Sequence, residues 1–314
     1  MTRASFLTKL GGVMKILMTG ATGLIGKQLG LELSHRGHEL TIVSRNGTQA
    51  RGALPFPCKI LEFDLNVQQI PSEILQGIEA CVNLLGENVA AQRWSEKQKR
   101  KILNSRVLTT RHLAESFGHP FKVFISVSAI GIYSDRGEEE LTEKSQAGDD
   151  FLAHVCQDWE QEADRLNTLA RVVKPRLGLV LSQQGGALEK MLPPFRLGLG
   201  GRISTGRQWM SWVHIQDVVS FLVEAIENSK FEGVYNLTSP KPVRNEEFSR
   251  TLAKVLNRRL GPPVPLVALR ILFGEIANTM VASEKVLPER ALNAGFHFKF
   301  TDLEKTFRDL LLLK

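Results

Sequence analysis

The segment TGATGLIG, residues 19–26, carries the clearest chemistry in the chain. Gly20, Gly23 and Gly26 form Gly-x-x-Gly-x-x-Gly between a short apolar run and a longer amphipathic one. Glycines in that register let the backbone turn tightly. Its N–H groups can then approach a pyrophosphate at a helix N-terminus, where the dipole favours negative charge. Thr22, Leu24 and Ile25 complete the predicted cofactor-binding loop. The motif alone is weak, but a strand before it, a helix after it and a second strand about 20 residues on supply the right context. A glycine turn without a ligand is the competing reading.

The second strand ends in Ser44-Arg45-Asn46. A protein that uses NAD usually places Asp or Glu here, to accept from the ribose 2′-hydroxyl. No acid stands in this segment. Arg45 instead offers a guanidinium to a 2′-phosphate, and Ser44 can donate a hydrogen bond. The residues favour NADP over NAD, against the plainer reading of a surface arginine at a strand end. Asp64 closes the third strand, placed to meet an adenine, while Leu84, Leu85 and Gly86 close the fourth at the edge where doubly wound sheets bind ligands. Glu87 and Asn88 follow into that cleft or cap the next loop.

Other reactive residues are sparse. GRQWMSWVHIQDVV holds Trp209, Trp212, His214 and Asp217, with Arg196 and Arg202 upstream. Two tryptophans beside a histidine can wall a pocket, and the arginines can attract an anion. The favoured reading is a core strand with buried aromatics and His214 bonded to a carboxylate such as Asp217. No His, Asp or Glu spacing suggests a metal, and no Gly-x-Ser-x-Gly elbow occurs.

The elements that must position these residues follow from periodicity. Short β-branched runs at 15–20, 38–45, 58–64, 79–86, 122–129 and 170–182 alternate with helical stretches at 23–37, 95–117 and 149–166. Strands separated by helices imply βαβ crossovers and a parallel sheet covered on both faces, an α/β doubly wound fold of Rossmann type. The expected division is an N-terminal extension at 1–13 and a dinucleotide-binding domain at 14–182. A substrate-side region at 183–257 and a small helical C-terminal domain at 258–314 complete it. With 314 residues, 43% hydrophobic and 23% charged, the chain has ample core material. No apolar run reaches the roughly 18 residues of a membrane helix. Three cysteines without a Cys-x-x-Cys point to a reducing, cytoplasmic compartment. The net charge of +7 fits an anionic small ligand. The basic stretch 92–111 lacks the interleaved aromatics that single-strand nucleic-acid binding needs. A small-molecule substrate is expected, with neither nucleic acid nor membrane as partner.

These residues resemble the extended short-chain dehydrogenase/reductases, whose sugar-nucleotide epimerases and dehydratases share such a loop. NLLGENVAAQRW, KILNSRVLTT, SAIGIYSDRG, PPFRLGLGGRISTGRQWMSWVHIQDVV and VLPERALNAGFHF narrow the likeness to the atypical YfcH-type epimerase family proteins. The resemblance covers nearly everything from Met14 onward and implies a Rossmann fold, NADP binding and a C-terminal domain of the family's own. It also implies cofactor roles for Ser44, Arg45, Leu84, Leu85 and Arg106, with Leu179 lining the nicotinamide end. Hydride-transferring members of the superfamily use Tyr-x-x-x-Lys, in which Lys lowers the Tyr pKa for proton exchange. Taking Glu160 as the glutamate that follows this dyad, its two places hold Leu152 and Cys156. Ser128, at the superfamily's Ser/Thr place, and Tyr133 just beyond it remain as catalytic candidates. An NADP-dependent oxidoreductase or epimerase-like enzyme is thus expected, with a non-catalytic NADP-binding regulator or redox sensor as the alternative.

Overall fold

Seven parallel strands account for most of the apolar runs. They are β1 (Lys15–Thr19), β2 (Glu39–Ser44), β3 (Lys59–Glu62), β4 (Ala80–Asn83), β5 (Val123–Ser126), β6 (Arg171–Leu177) and β7 (Gly233–Leu237). In this computed structural model, which describes residues 12–312, they lie side by side in the order β3-β2-β1-β4-β5-β6-β7. Every pairing along that path is parallel. A two-residue continuation, Ser128–Ala129, pairs with the end of β6. The order reverses between β1 and β4, and in open α/β sheets ligands bind outside the carboxyl ends of strands at such a point. Burial on both faces explains why KILMT, ACVN and VFIS are nearly uninterrupted apolar runs. Residues 1–11 of the expected N-terminal extension lie outside the described residues.

Two expected elements break where the backbone has work to do. The helix expected over 95–117 is two helices, Glu96–Asn104 and Val107–Glu115, with Arg106 as the N-cap of the second. Ser105 makes the break: its hydroxyl accepts from Glu87 N–H at 2.9 Å and donates to the Ile102 carbonyl. The strand expected over 170–182 divides at Gly178, whose missing Cβ would lie 2.5 Å from the Ser211 carbonyl oxygen. Beyond it Leu179–Leu181 leaves the main sheet and pairs with Trp212–His214.

The expected domain boundaries do not separate cores. β7 completes the same sheet that β1 starts, so residue 182 is no boundary. Val213, Phe221, Leu222 and Tyr235 pack in one cluster with Ile16, Met18 and Ile125. Residues 258–312 are largely helical as expected, with helices Leu266–Phe273, Ile276–Val281, Glu289–Asn293 and Leu303–Leu312. They have no core of their own. Ala291 and Phe296 join the main cluster, whereas Leu303, Phe307 and Leu310 pack with Leu181, Leu188, Trp212 and Phe248. The short strand Lys285–Val286 pairs with Glu140–Leu141. Among the described residues, no helix is long and apolar enough to cross a membrane.

Candidate functional site

The glycine loop leaves β1 in a conformation that side chains resist. Gly20 has φ +67°, and a Cβ on it would fall 2.6 Å from the Leu84 carbonyl oxygen. A Cβ on Gly26 would enter the Gly20 carbonyl and the Ala21 backbone. At Gly23 the nearest atom, Gly20 O, would be 3.2 Å away, and that glycine is exposed as the N-cap of the helix Leu24–His35. The structure therefore brings the loop against the end of β4, with Thr22 exposed and Leu24 and Ile25 half-buried behind it. The first helical turn carries no acidic residue. Beneath the loop, Thr19 Oγ1 donates to Asn83 Oδ1 at 2.7 Å, and Asn83 Nδ2 donates to Thr110 Oγ1 at 2.8 Å. This buried bracket fixes the β1–β4 edge. Sequence reasoning missed it, although two polar residues ending apolar strands were its signal.

At the end of β2, Ser44 Oγ bonds locally to Asn46, whose Oδ1 accepts from Gln49 N–H and caps the helix Gly47–Ala53. Arg45 is exposed and makes no ion pair or side-chain hydrogen bond among the described residues. The absence of an acid holds at the end of β2 itself but not across the sheet. Glu62 lies opposite Ser44 in register, and its carboxylate accepts from Gly47 N–H at 2.7 Å. Asp64 stands two residues beyond β3, with Oδ1 accepting from both nitrogens of Asn66 in a tight turn.

At the end of β4, Leu84 and Leu85 are half-buried and Gly86 is exposed. The Arg106 guanidinium lies where a Cβ on Gly86 would be 3.1 Å from its Cζ, and 5.3 Å above the Trp159 ring. It donates to the Ile102 carbonyl at 3.2 Å and forms no ion pair among the described residues. Burial works against its charge, with Glu87 partly restoring it. Cys156 is itself buried, which pushes its thiol up to about 12 and leaves it inert as a nucleophile. Leu152 packs against Gly131. Leu179 is half-buried, and its N–H donates to the Ser211 carbonyl at 2.8 Å.

The two catalytic candidates require correction. Ser128 and Tyr133 are both buried, the latter completely. Ser128 Oγ donates to Glu160 Oε1 at 2.7 Å. Glu160 also holds the Arg176 guanidinium through two bonds of 2.7 and 2.8 Å. Arg176 Nη1 donates to the Tyr133 hydroxyl at 2.8 Å, and that hydroxyl donates to Asn236 Oδ1 at 2.7 Å. Burial raises the Tyr133 pKa against the opposing pull of Arg176. A hydroxyl that is enclosed, hydrogen-bonded and harder to ionise is a poor proton shuttle. The geometry assigns this chain of groups to the frame joining β5, β6 and β7.

His214 and Trp212 are fully buried, as the core reading expects. The carboxylate beside His214 is Asp309, not Asp217. Its Nε2 stands 3.2 Å from Asp309 Oδ2, off the direction of a hydrogen bond. Nδ1 accepts from Gln216 N–H and caps the helix Ile215–Glu227. Asp217 accepts the N–H groups of Lys299 and Phe300. Of the two arginines expected to draw an anion, Arg202 is paired with Glu246 and Arg196 is exposed at a helix end.

Comparison with known proteins agrees with this fold. The NAD dependent epimerase/dehydratase family model matches residues 16–238, and a domain of unknown function, DUF1731, matches 264–310. The Bacillus subtilis epimerase family protein YfhF is 36% identical over 303 residues, covering 95% of this chain and 98% of its own. Human epimerase family protein SDR39U1 is 35% identical over 305 residues, covering 95% of this chain and 100% of its own. The crystal structure of that human protein (isoform 2) with NADPH superposes with a TM-score of 0.84 at 34% identity, covering 96% and 100% of the two chains.

Proposed function

The chain belongs to the NAD-dependent epimerase/dehydratase family, and on that premise we propose that it is an NADP(H)-binding, epimerase-like oxidoreductase of a small substrate. The observation that carries this reading is the glycine cradle, where a Cβ at Gly20 or Gly26 would fill space and a helix N-terminus stands open. Gly20, Thr22, Gly23, Leu24, Ile25 and Gly26 would hold the pyrophosphate through backbone donors. Arg45, exposed and without an ion-pair partner among the described residues, would take the 2′-phosphate beside Ser44. Leu84, Leu85, Gly86 and Leu179 would line the inner end, with the Arg106 guanidinium supplying positive charge where the helix Phe151–Asp164, which holds both dyad places, carries no lysine. Asp64 would stand at the adenine. The bound dinucleotide supplies hydride chemistry at its nicotinamide ring. The NADPH complex of the human relative supports the choice of cofactor.

The free cysteines favour a reducing, cytoplasmic setting. Within the basic stretch 92–111, Lys99 pairs with Glu275 and Arg111 with Glu162, which supports a solvated surface over a nucleic-acid footprint. A second reading, a non-catalytic NADP(H)-binding regulator, draws on Leu152 and the inert Cys156 in the dyad places. Titration by nicotinamide fluorescence tests the cofactor assignment. NADPH is expected to bind more tightly than NADH, and Arg45→Asp to cost at least about tenfold in NADPH affinity, the worth of one charged hydrogen bond. A wild-type preference for NADH would overturn the assignment.

A further inference from the structure

We propose that Glu62 is a second selector at the cofactor's 2′ position: its free carboxylate oxygen accepts from the ribose 2′-hydroxyl of NAD(H) and repels the 2′-phosphate of NADP(H). The inference rests on the NADP(H) reading above and concerns how sharply the site tells the two cofactors apart. It starts from the turn after β2, where Ser44 and Arg45 are assigned to the 2′ substituent. Across the β2–β3 ladder Glu62 lies opposite Ser44, and Phe63 N–H donates to the Ser44 carbonyl at 3.0 Å. Paired strands lie about 4.8 Å apart, so the Glu62 side chain starts within one strand spacing of Ser44.

A hydrogen bond then fixes the carboxylate itself. Oε2 accepts from Gly47 N–H at 2.7 Å, two residues beyond Arg45. Gly47 makes room for it, since a Cβ there would lie 2.6 Å from that same oxygen. Within the turn, Ser44 Oγ and Asn46 bond to each other, and Asn46 Oδ1 is taken by Gln49 N–H. Glu62 is exposed, and its second oxygen, Oε1, has no partner among the described residues. Arg45 is exposed and unpaired there as well, so an anchored carboxylate and a free guanidinium flank one turn without pairing with each other. In this fold an acid at the end of the second strand ordinarily reads the ribose 2′-hydroxyl. Here the acid arrives from β3, which leaves the end of β2 to Arg45 and a 2′-phosphate. A carboxylate accepts a charge-assisted hydrogen bond from a hydroxyl but offers a phosphate only repulsion. The two residues therefore pull in opposite directions, and the preference for NADPH is smaller than Arg45 alone would give.

The test is titration of the full chain with NADPH and NADH by nicotinamide fluorescence, in wild type, Glu62→Gln and Glu62→Ala. Glutamine keeps an oxygen for Gly47 N–H and removes the charge. Glu62→Gln is expected to bind NADPH about two- to fivefold more tightly, the worth of one exposed charge pair. It should bind NADH about fivefold more weakly, because a neutral acceptor replaces a charged one. The gain for NADPH should shrink as added salt screens the repulsion. Displacement by 2′,5′-ADP and 5′-ADP, which carry no nicotinamide, should follow the same order. If Glu62 only braces the turn, Glu62→Gln will keep the wild-type ratio of the two affinities while Glu62→Ala weakens both equally, and the selector role is lost. Circular dichroism melting checks that each variant folds; should Glu62→Ala fail to, Glu62→Gln decides alone. Wild type that binds neither dinucleotide would overturn the NADP(H) reading itself, whereas NADPH binding with an unshifted ratio in Glu62→Gln overturns only the role of Glu62.

Discussion

Gly23 and Gly26 look alike in the motif, yet the structure gives them different tasks. Gly26 is buried against Gly20 and Ala21, so Gly26→Val should disrupt the fold and lower the melting temperature sharply. Gly23 is exposed at the N-cap, with one backbone oxygen within 4 Å of an added Cβ. Gly23→Val should leave the circular dichroism spectrum intact and abolish NADPH binding, because the branched side chain occupies the pyrophosphate's approach. Micromolar binding retained by a folded Gly23→Val protein would place the phosphates elsewhere. Tyr133→Phe makes the complementary case. It deprives the buried Arg176 and Asn236 of a partner, which costs about 1–3 kcal/mol in denaturant unfolding and leaves NADPH affinity unchanged. A turnover defect without a stability loss would restore Tyr133 as a catalyst. The tight turn of the glycine loop was legible in the sequence because it follows from local backbone geometry. The burial of Tyr133 was not, since its partners Arg176 and Asn236 lie 43 and 103 residues away. Glu62 escaped for the same reason, reaching the end of β2 from the neighbouring strand.

Strands and helices were legible wherever apolar periodicity ran uninterrupted, as in β1, β4 and β5. The reading failed at breaks set by distant contacts. Gly178 divides an apolar run because Ser211 and Thr238 leave it no room for a side chain. Ser105 divides a helical run because Glu87 N–H needs its hydroxyl. The helix Ile215–Glu227 shows how such long-range contacts carry energy. His214 caps it through Nδ1 while its other face is sealed by the stacked Phe300 ring. Burial lowers the His214 pKa to about 4 despite the opposing Asp309. Since an unfolded histidine titrates near 6.5, the unfolded chain binds the extra proton between about pH 6.5 and 4. Stability is therefore complete above that window and falls as the pH drops through it, by on the order of 3 kcal/mol. His214→Asn keeps a cap acceptor and removes the titration. Its melting temperature should fall less steeply than the wild type's between pH 6.5 and 4. Parallel slopes would assign the acid sensitivity to other groups.

At the scale of the molecule, the sequence resemblance and the packing divide the chain differently. A separate family model covers 264–310, and the proline-rich turn before it resembles a linker. The packing instead threads this region back into two apolar clusters built on the rest of the chain. Arg290 donates to the carbonyls of Val234 and Glu232 beside β7, and the Asn236 side chain donates to the Leu287 carbonyl. Phe296 stacks edge-on against Phe221, and Phe307 against Phe248. Ser283–Val286 also braces Trp209 and Ser211, the segment next to Leu179. A unit whose apolar side chains complete another unit's core cannot be removed without opening that core to water. The full chain should therefore melt in one cooperative transition. A fragment ending at residue 257 should lose its near-ultraviolet circular dichroism and bind a hydrophobic dye while keeping much of its helical signal. Exposing Phe221, Trp212 and Phe248 together removes several fully buried side chains, each worth about 1.5–3 kcal/mol, against a total stability of about 5–15 kcal/mol. A truncated protein that melts cooperatively and binds NADPH would show that the C-terminal region is an appendage, and the interlocked cores would then be dispensable.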